Sequence, residues 1–340
     1  MDETLVVYAS FGEGHKRAAY ALEESLNASS KDLLDFSHPF IKKIYPFIYR
    51  TVTQYYPSFW CFLYSSVKKR PFLPLVNQIN KIIFLSFRKY LYKVRPKTII
   101  FTHFFPAVLI DSIIKKELKL KLISVVTDLR AYPLWADDNI DYYFAALDIT
   151  KDDLIKLGVK ESKIAVGFAP IRRGFLKRDC DKYLADRLFL RQNPILIFTS
   201  TSKKTLALMR KSLDFILKDF NVIVIYGRDK KLKQYLEQLH SPYVKYFSFY
   251  DNIWELITIS SIIIGKPGGL TIFEGIFKKK PFIFTHYIPG QEEENMRLML
   301  NCGIARFIKN KDELLEAIYY FYRNRISFND NYPLTLKNIH

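Results

Sequence analysis

The sequence predicts an α/β protein of two doubly wound parallel-sheet domains, Rossmann-like in layout, facing each other across a crevice. Three observations predict it. Short, nearly continuous apolar runs alternate with stretches of helical length and periodicity. The alternation halts after Pro170 at a basic, irregular stretch through Arg172, Arg173, Lys177 and Arg178, and then begins again. The chain of 340 residues, 49% of them hydrophobic, also exceeds the roughly 150 residues that one domain usually takes. The domains are expected at residues 1–170 and 171–340, with the last helix packing back on the first domain.

In the first series Thr4–Ser10 reads as a strand, followed by a turn at Phe11–Gly14 and a helix over His15–Asn27. Thr98–Thr102, Lys121–Thr127 and Tyr142–Leu147 read as further strands. Their branched and aromatic residues leave little polar face, as strands covered by helices on both sides require. The second series runs strand Ile195–Thr199, helix Lys203–Leu217, strand Val222–Tyr226, helix Lys231–Leu239 and strand Tyr243–Phe247. Helix Asn252–Thr258, strand Ser261–Ile264, helix Leu270–Phe277 and strand Pro281–Thr285 continue it. Helices Gln291–Asn301 and Lys311–Arg323 close the chain. Such sheets bind ligands at the carboxyl ends of their strands, within the crevice.

Composition removes several classes. Cys61, Cys180 and Cys302 are odd in number and form no paired motif, which excludes a disulfide scaffold and a structural zinc site. The amino terminus carries no basic, apolar leader, so a cytoplasmic protein is expected. The uncharged run Thr51–Val67 is broken by Gln54 and Pro57 and is too short to span a bilayer. Charge is more informative. The chain has 52 Lys and Arg against 34 Asp and Glu, a net +18, and residues 36–110 hold 12 basic side chains and no acidic one. Phe40, Tyr45, Phe47, Tyr55, Tyr56, Phe59 and Trp60 are interleaved with them. That mixture suits anionic lipid headgroups or single-stranded nucleic acid, with a solvated basic face as the plain alternative.

Glycine is scarce, 12 residues where an average chain of this length carries about 24. Seven of the twelve fall in three segments, each following a strand. In Phe11-Gly12-Glu13-Gly14-His15 the glycines permit a tight turn with exposed N–H groups, Gly14 among the ligand contacts, and His15 opens a helix. The helix dipole there favours a neutral imidazole base. In Gly265-Lys266-Pro267-Gly268-Gly269-Leu270-Thr271, the N–H groups of Gly269, Leu270 and Thr271 are set for a diphosphate, with Glu274 one turn on for a ribose diol. In Pro289-Gly290-Gln291-Glu292, the amide and carboxylate of Gln291 and Glu292 are a pair able to hold sugar hydroxyls. An ordinary βα turn and a dipole-complementing acidic helix start are the plain readings of the last two segments.

GKPGGLTIFEG followed by HYIPGQEEEN resembles the nucleotide-sugar signature of glycosyltransferase family 28, and most nearly its branch of diacylglycerol glycosyltransferases and monogalactosyldiacylglycerol synthases. FGEGHKRAAYAL, the aromatic stretch ending in Pro57-Ser58-Phe59-Trp60, VVTDLRAYPLW and VIYGRDKKLKQYL are similar to further segments of that branch, so the likeness runs to about Leu315. The resemblance implies a GT-B fold, an inverting transfer from a UDP-sugar and no obligatory metal or other cofactor. It implies that Gly268, Gly269, Leu270 and Thr271 meet the nucleotide, Glu274 the ribose, Gln291 and Glu292 the donor sugar, and Tyr250 the uracil through its backbone. It places His15 at the acceptor hydroxyl with Asp128 nearby. Two positions depart from the family. The glycine-rich turn after the first strand of the second domain is Thr199-Ser200-Thr201-Ser202, which leaves Thr201 as the best-placed phosphate contact, and the histidine usual before the Trp is Tyr132.

Inversion at an anomeric carbon needs a base for the acceptor hydroxyl and stabilisation of the leaving diphosphate. His15 is the base expected, and Asp128 its orienting partner or the alternative base. The helix start at Gly268–Thr271 takes the role a metal has elsewhere. The acceptor implied is a membrane lipid, diacylglycerol or a glycosyl-diacylglycerol, reached through docking of residues 36–110 on the anionic inner face of the cell membrane, with no nucleic acid partner. An isoprenoid-linked peptidoglycan intermediate as acceptor, a sugar-nucleotide epimerase, and a non-catalytic UDP-sugar-binding protein remain the alternatives.

Overall fold

Runs of three to five residues rich in Ile, Val and Phe form the strands, because branched and aromatic side chains pack well on a pleated surface. The computed structural model describes residues 3–56, 73–167, 169–177, 183–188, 190–199, 202–290 and 292–324. Strands β1 (Thr4–Tyr8), β2 (Ser29–Asp32), β3 (Thr98–Phe101), β4 (Lys121–Val125), β5 (Tyr142–Ala145) and β6 (Ile164–Val166) form one sheet in the order β2-β1-β3-β4-β5-β6. Strands β7 (Ile195–Phe198), β8 (Asn221–Ile225), β9 (Val244–Phe247), β10 (Ile262–Gly265), β11 (Phe282–Phe284) and β12 (Ala305–Phe307) form the other, in the order β12-β11-β10-β7-β8-β9. Every pairing is parallel.

Each order reverses once. The chain goes outward from β1 to β2, returns to lay β3 on the other side of β1, and continues to β6. In the second sheet it runs β7, β8, β9 and returns to place β10 beside β7. The loops leaving β1 and β3, and those leaving β7 and β10, therefore diverge to opposite faces of their sheets. In each sheet by itself, the carboxyl ends of strands at such a reversal are where this class of sheet holds its ligands.

The chain divides into two compact units. The first runs to Arg173 and takes in Ile288–Glu294; the second is Gly174–Tyr287 and resumes at Asn295. In the first unit, Leu5, Val7, Phe84, Phe87, Phe101, Trp135 and Tyr143 pack one face of the sheet, and Val6, Ala19, Leu22, Ile100 and Val125 the other. In the second, Phe198, Val222, Val224, Ile262, Ile264 and Ile283 are buried against helix Lys203–Asp219. Helix Lys311–Arg323, expected to return to the first domain, instead buries Leu314, Ala317, Ile318 and Phe321 in this second core.

Strands β2, β6 and β12 are absent from the sequence reading. They lie at sheet edges, where a strand needs no apolar pair of faces, and Ser29-Ser30-Lys31-Asp32 has none. Seven of the nine strands expected from the sequence extend one or two residues past the observed carboxyl ends, whereas Tyr243–Phe247 ends at the observed residue and Ser261–Ile264 stops one short of Gly265. Ser10, Thr102, Thr127 and Thr199 have already left the ladder for the loops that carry the chemistry.

Gly275 sets the seat of helix Gly269–Phe277. A Cβ there would come to 2.4 Å from Phe282 Cζ and 2.7 Å from Ile263 Cδ1, so only glycine lets the helix lie this close on β10 and β11. Gly12 is not demanded by its backbone conformation. Its φ of −149° is ordinary extended backbone and nothing lies within 4 Å of a Cβ built on it. What its missing side chain provides is open space above the first turn.

Candidate active site

On the first unit the chemistry gathers at the β1/β3 reversal. Ser10, just past β1, is fixed by Asp32 at the end of β2. The Ser10 N–H donates to Asp32 Oδ1 at 3.2 Å and its hydroxyl donates to Oδ2. The chain then turns through Phe11 and Gly12 into helix Glu13–Leu26, with His15 in the first turn. His15 and Thr102 clasp each other. His15 Nδ1 lies 2.7 Å from the Thr102 carbonyl oxygen, and the Thr102 hydroxyl donates to the His15 carbonyl at 2.9 Å. A carbonyl only accepts, so in the neutral ring the proton sits on Nδ1 and the lone pair on Nε2. Thr127 Oγ1, 3.1 Å from the same Nδ1, is a second acceptor for that N–H.

His103 stands edge-on to His15, ring centroids 4.4 Å apart. Its Nδ1 accepts from the Phe105 N–H at 3.0 Å, so its own proton is on Nε2. Burial, and then the neighbouring His15, hold His103 well below the ordinary histidine range. His103 is therefore the neutral ring of the pair.

Asp128 follows Thr127 and is buried. Its loop is braced from outside: Arg130 donates to both carboxylate oxygens of Asp153, at 2.5 and 2.8 Å, and the Thr150 hydroxyl donates to the Leu129 carbonyl at 2.7 Å. Tyr132 is buried edge-on to Phe104 and Trp135. It therefore serves this wall as an aromatic packing residue.

On the second unit the corresponding reversal lies between β7 and β10. Helix Gly269–Phe277 begins at Gly268, which as N-cap offers no side chain, so no side-chain cap occupies the helix start. First-turn N–H groups and the positive end of the dipole favour an anion there. Asn295, itself buried, donates to the Pro267 carbonyl at 3.1 Å and ties the turn down. Glu274 is on the inner side of this helix, 1% exposed. Tyr250 directs its hydroxyl to Glu255 Oε2 at 3.2 Å and its ring against Phe247.

Glu292, 4% exposed, has a local duty the sequence did not reveal. Its Oε2 accepts from the Ile288 N–H at 3.0 Å and its own N–H donates to the Ile288 carbonyl at 2.9 Å, closing the loop around Gly290, whose φ is +77°. Thr201 and Gln291 lie outside the described residues. The structure thus gathers His15 with Asp128's loop on one unit, and Gly268, Gly269, Leu270, Thr271 and Glu274 on the other. Sequence reading missed Asp32, Thr102, His103, Thr127 and Asn295, and spacing gave no signal for them. Among the described residues no three His, Cys, Asp or Glu side chains gather as a metal site would need.

Helix Pro39–Tyr55 displays Phe40, Lys43 and Phe47 at helical spacing on its exposed side, with Phe47 65% exposed. Ile79, Ile82 (77% exposed), Leu85 and Arg88 extend the same alternation of apolar and basic residues in the next described helices. Among the described residues no helix is long and apolar enough to cross a membrane. Lys68, Lys69, Arg70, Phe59 and Trp60, part of the expected docking stretch, lie outside them.

Comparison with known proteins adds to this geometry. The monogalactosyldiacylglycerol (MGDG) synthase family matches over residues 15–171 and the glycosyltransferase family 28 C-terminal domain over residues 197–320. A processive diacylglycerol beta-glucosyltransferase of Bacillus licheniformis is 26% identical over 331 residues, covering 92% of this chain and 85% of the relative. One of the same name from Bacillus cereus is 26% identical over 325 residues, covering 92% and 83%. Among solved structures, the UDP-GlcNAc 2-epimerase of Neisseria meningitidis bound to UDP-GlcNAc gives a TM-score of 0.58 at 14% identity, over 99% of this chain and 94% of that one. Anabaena HepE in complex with UDP and glucose gives 0.56 at 13% identity, over 99% and 93%. These structural likenesses establish the fold, two Rossmann-like sheets of the GT-B kind.

Proposed function

The chain belongs to glycosyltransferase family 28, in its branch of diacylglycerol glycosyltransferases and monogalactosyldiacylglycerol synthases, and from that premise we propose that it transfers a hexose from a UDP-sugar to the hydroxyl of diacylglycerol or a glycosyl-diacylglycerol, with inversion. The observation that carries the reading is the tautomer of His15. With Nδ1–H given to the Thr102 carbonyl and Thr127, Nε2 is the basic nitrogen, and it belongs to a half-buried ring at the strand reversal. Nε2 takes the proton of the acceptor hydroxyl as its oxygen attacks the anomeric carbon. The bond to UDP breaks on the opposite side, and the leaving diphosphate is stabilised by the helix start at Gly268–Thr271 with Lys266 beside it. Glu274 accepts from the ribose, Tyr250 meets the uracil through its backbone, and Gln291 and Glu292 hold the sugar. Thr201 stands where the family's glycine-rich turn meets phosphate. No metal is required in this scheme, and chelation with EDTA is expected to leave turnover unchanged.

The test is incubation of the purified protein with a panel of UDP-hexoses and diacylglycerol, with mass spectrometry of the lipid. A mono- or oligohexosyl-diacylglycerol of inverted anomeric configuration is expected. A product formed only on an isoprenoid diphosphate acceptor, or an epimerised UDP-sugar without any lipid product, would reject the acceptor assignment.

We further propose that the basic aromatic stretch holds the protein on the anionic inner face of the cell membrane. Each Lys or Arg near such a surface contributes about 1 kcal/mol within a Debye length, and exposed apolar side chains add burial that salt does not screen. Vesicles containing phosphatidylglycerol are expected to bind the protein, neutral vesicles much less, with partial release as salt rises. Phe40→Ser, Lys43→Glu and Phe47→Ser together should weaken sedimentation with the anionic vesicles and leave UDP affinity intact. Equal binding to both vesicle types would exclude the electrostatic part of this docking.

A further inference from the structure

The turn after β11 contains a group that the reaction above does not use. His286 follows Thr285 at the carboxyl end of β11 and lies largely buried on the second unit. Its Nδ1 is 2.9 Å from Thr285 Oγ1 and 3.4 Å from Thr205 Oγ1. Thr205 and Thr285 hydroxyls are 2.8 Å apart, and Ser202 Oγ is 3.0 Å from Thr205 Oγ1. Together they form a row of hydroxyls running from the loop after β7 to the turn after β11.

The direction of the row follows from its ends. The Gly265 carbonyl can only accept, and Thr285 Oγ1 donates to it at 3.3 Å. Thr285 is then the acceptor for Thr205 and for His286 Nδ1–H. At the other end Ser202 Oγ accepts from the Thr205 N–H at 3.1 Å and donates to Thr205 Oγ1. Nδ1 therefore carries the proton of the neutral ring. Nε2 carries the lone pair and has no partner among the described residues.

The row starts at Ser202, at the end of the loop after β7, and through Thr285 it adjoins Gly265-Lys266-Pro267-Gly268, the turn that starts the helix Gly269–Phe277. Two charges act on His286 among the described residues. The helix packed on it contributes Lys204 and the turn after β10 contributes Lys266; no carboxylate acts on it. Burial first, and then these two lysines, push its pKa down to about 4, so the ring is neutral in the empty site at physiological pH.

We propose that His286 takes up a proton at Nε2 when the diphosphate of the donor lodges at this corner, so that donor binding is coupled to proton uptake. The inference rests on the reading that the diphosphate binds at the Gly268–Thr271 helix start. A diphosphate placed there offsets both lysines and gives Nε2–H an anionic acceptor, and each of these favours the charged ring. The proton comes from solvent and returns to it when the nucleotide leaves. The sign follows from linkage. A ring neutral in the free protein and charged in the complex makes binding tighten as pH falls, by up to about tenfold per unit between the free and bound pKa values. Above the bound value, affinity is independent of pH.

Calorimetry with UDP-glucose, in buffers of different ionisation enthalpy between pH 5.5 and 8, tests this directly. UDP-glucose is the suitable probe because both its phosphates are diesters, whereas the terminal phosphate of UDP titrates near 6, as phosphomonoesters do. The expected result is net uptake of up to one proton per UDP-glucose, rising as pH falls, with none on binding uridine. His286→Gln and His286→Asn should bind UDP-glucose without that uptake and with a flat pH profile. Binding of UDP-glucose by the unaltered protein with no proton uptake overturns the assignment, as does unchanged uptake in either variant. No binding of UDP-glucose at any pH overturns the donor-site reading and this inference with it.

Discussion

Replacement of His15 by alanine is expected to reduce turnover by roughly 10²–10⁴-fold while UDP affinity stays within a few-fold of the unaltered protein. The split follows from where the residue sits. His15 is in the first unit, fixed by the Thr102 carbonyl and Thr127, whereas the diphosphate and ribose groups are assigned to the second. Initial rates with a UDP-hexose and diacylglycerol, beside calorimetry with UDP, measure both halves of the expectation. His15→Gln should be as inactive as His15→Ala, since an amide keeps some hydrogen bonding but is no base. Activity within a few-fold of normal in both variants would move the base elsewhere, and Asp128→Asn becomes the next variant to measure.

Glu274→Gln is expected to weaken UDP binding by about 1–3 kcal/mol, on the order of 5- to 150-fold in Kd, the cost of losing one charged hydrogen-bond acceptor. The amide keeps the shape of a side chain that is 1% exposed, so the substitution tests charge at a site where truncation would leave a cavity. Uracil alone should bind both forms equally, because the carboxylate is assigned to the ribose. A thermal unfolding curve for the variant separates a lost contact from a disturbed helix seat. Unchanged UDP affinity in a normally folded variant would remove Glu274 from the site.

The sequence makes the centre of each sheet legible and the periphery obscure, for a physical reason. A central parallel strand is covered on both faces, so β1, β3, β7 and β10 appear as apolar runs, and turns bearing Gly and His or Pro-Gly-Gly stand out after them. Edge strands β2, β6 and β12 are under no such constraint. The same division holds in the site. His15 and Gly268–Thr271 are visible because several constraints meet in one short segment. Thr102, Thr127 and Asp32 are single polar residues at the ends of other strands, brought to His15 and Ser10 by topology. The double use of Glu292, as a closer of its own loop, is likewise invisible until the fold is known.

The register of β1 against β3, with Thr4 opposite Thr98, has a consequence for how the protein is made. The centre of the first sheet cannot close until β3, which lies within the basic stretch, has been synthesised. At about 5–20 residues per second, Leu5, Val6 and Val7 wait roughly 5–20 s for their inner neighbour, with only the polar β2 available beside them. The corresponding central pair of the second sheet, Ile197 of β7 against Ile263 of β10, is separated by 66 residues, against 94 between Leu5 and Ile99. Contacts close in sequence form faster than distant ones. The domain that leaves the ribosome first is therefore the slower to complete the middle of its sheet.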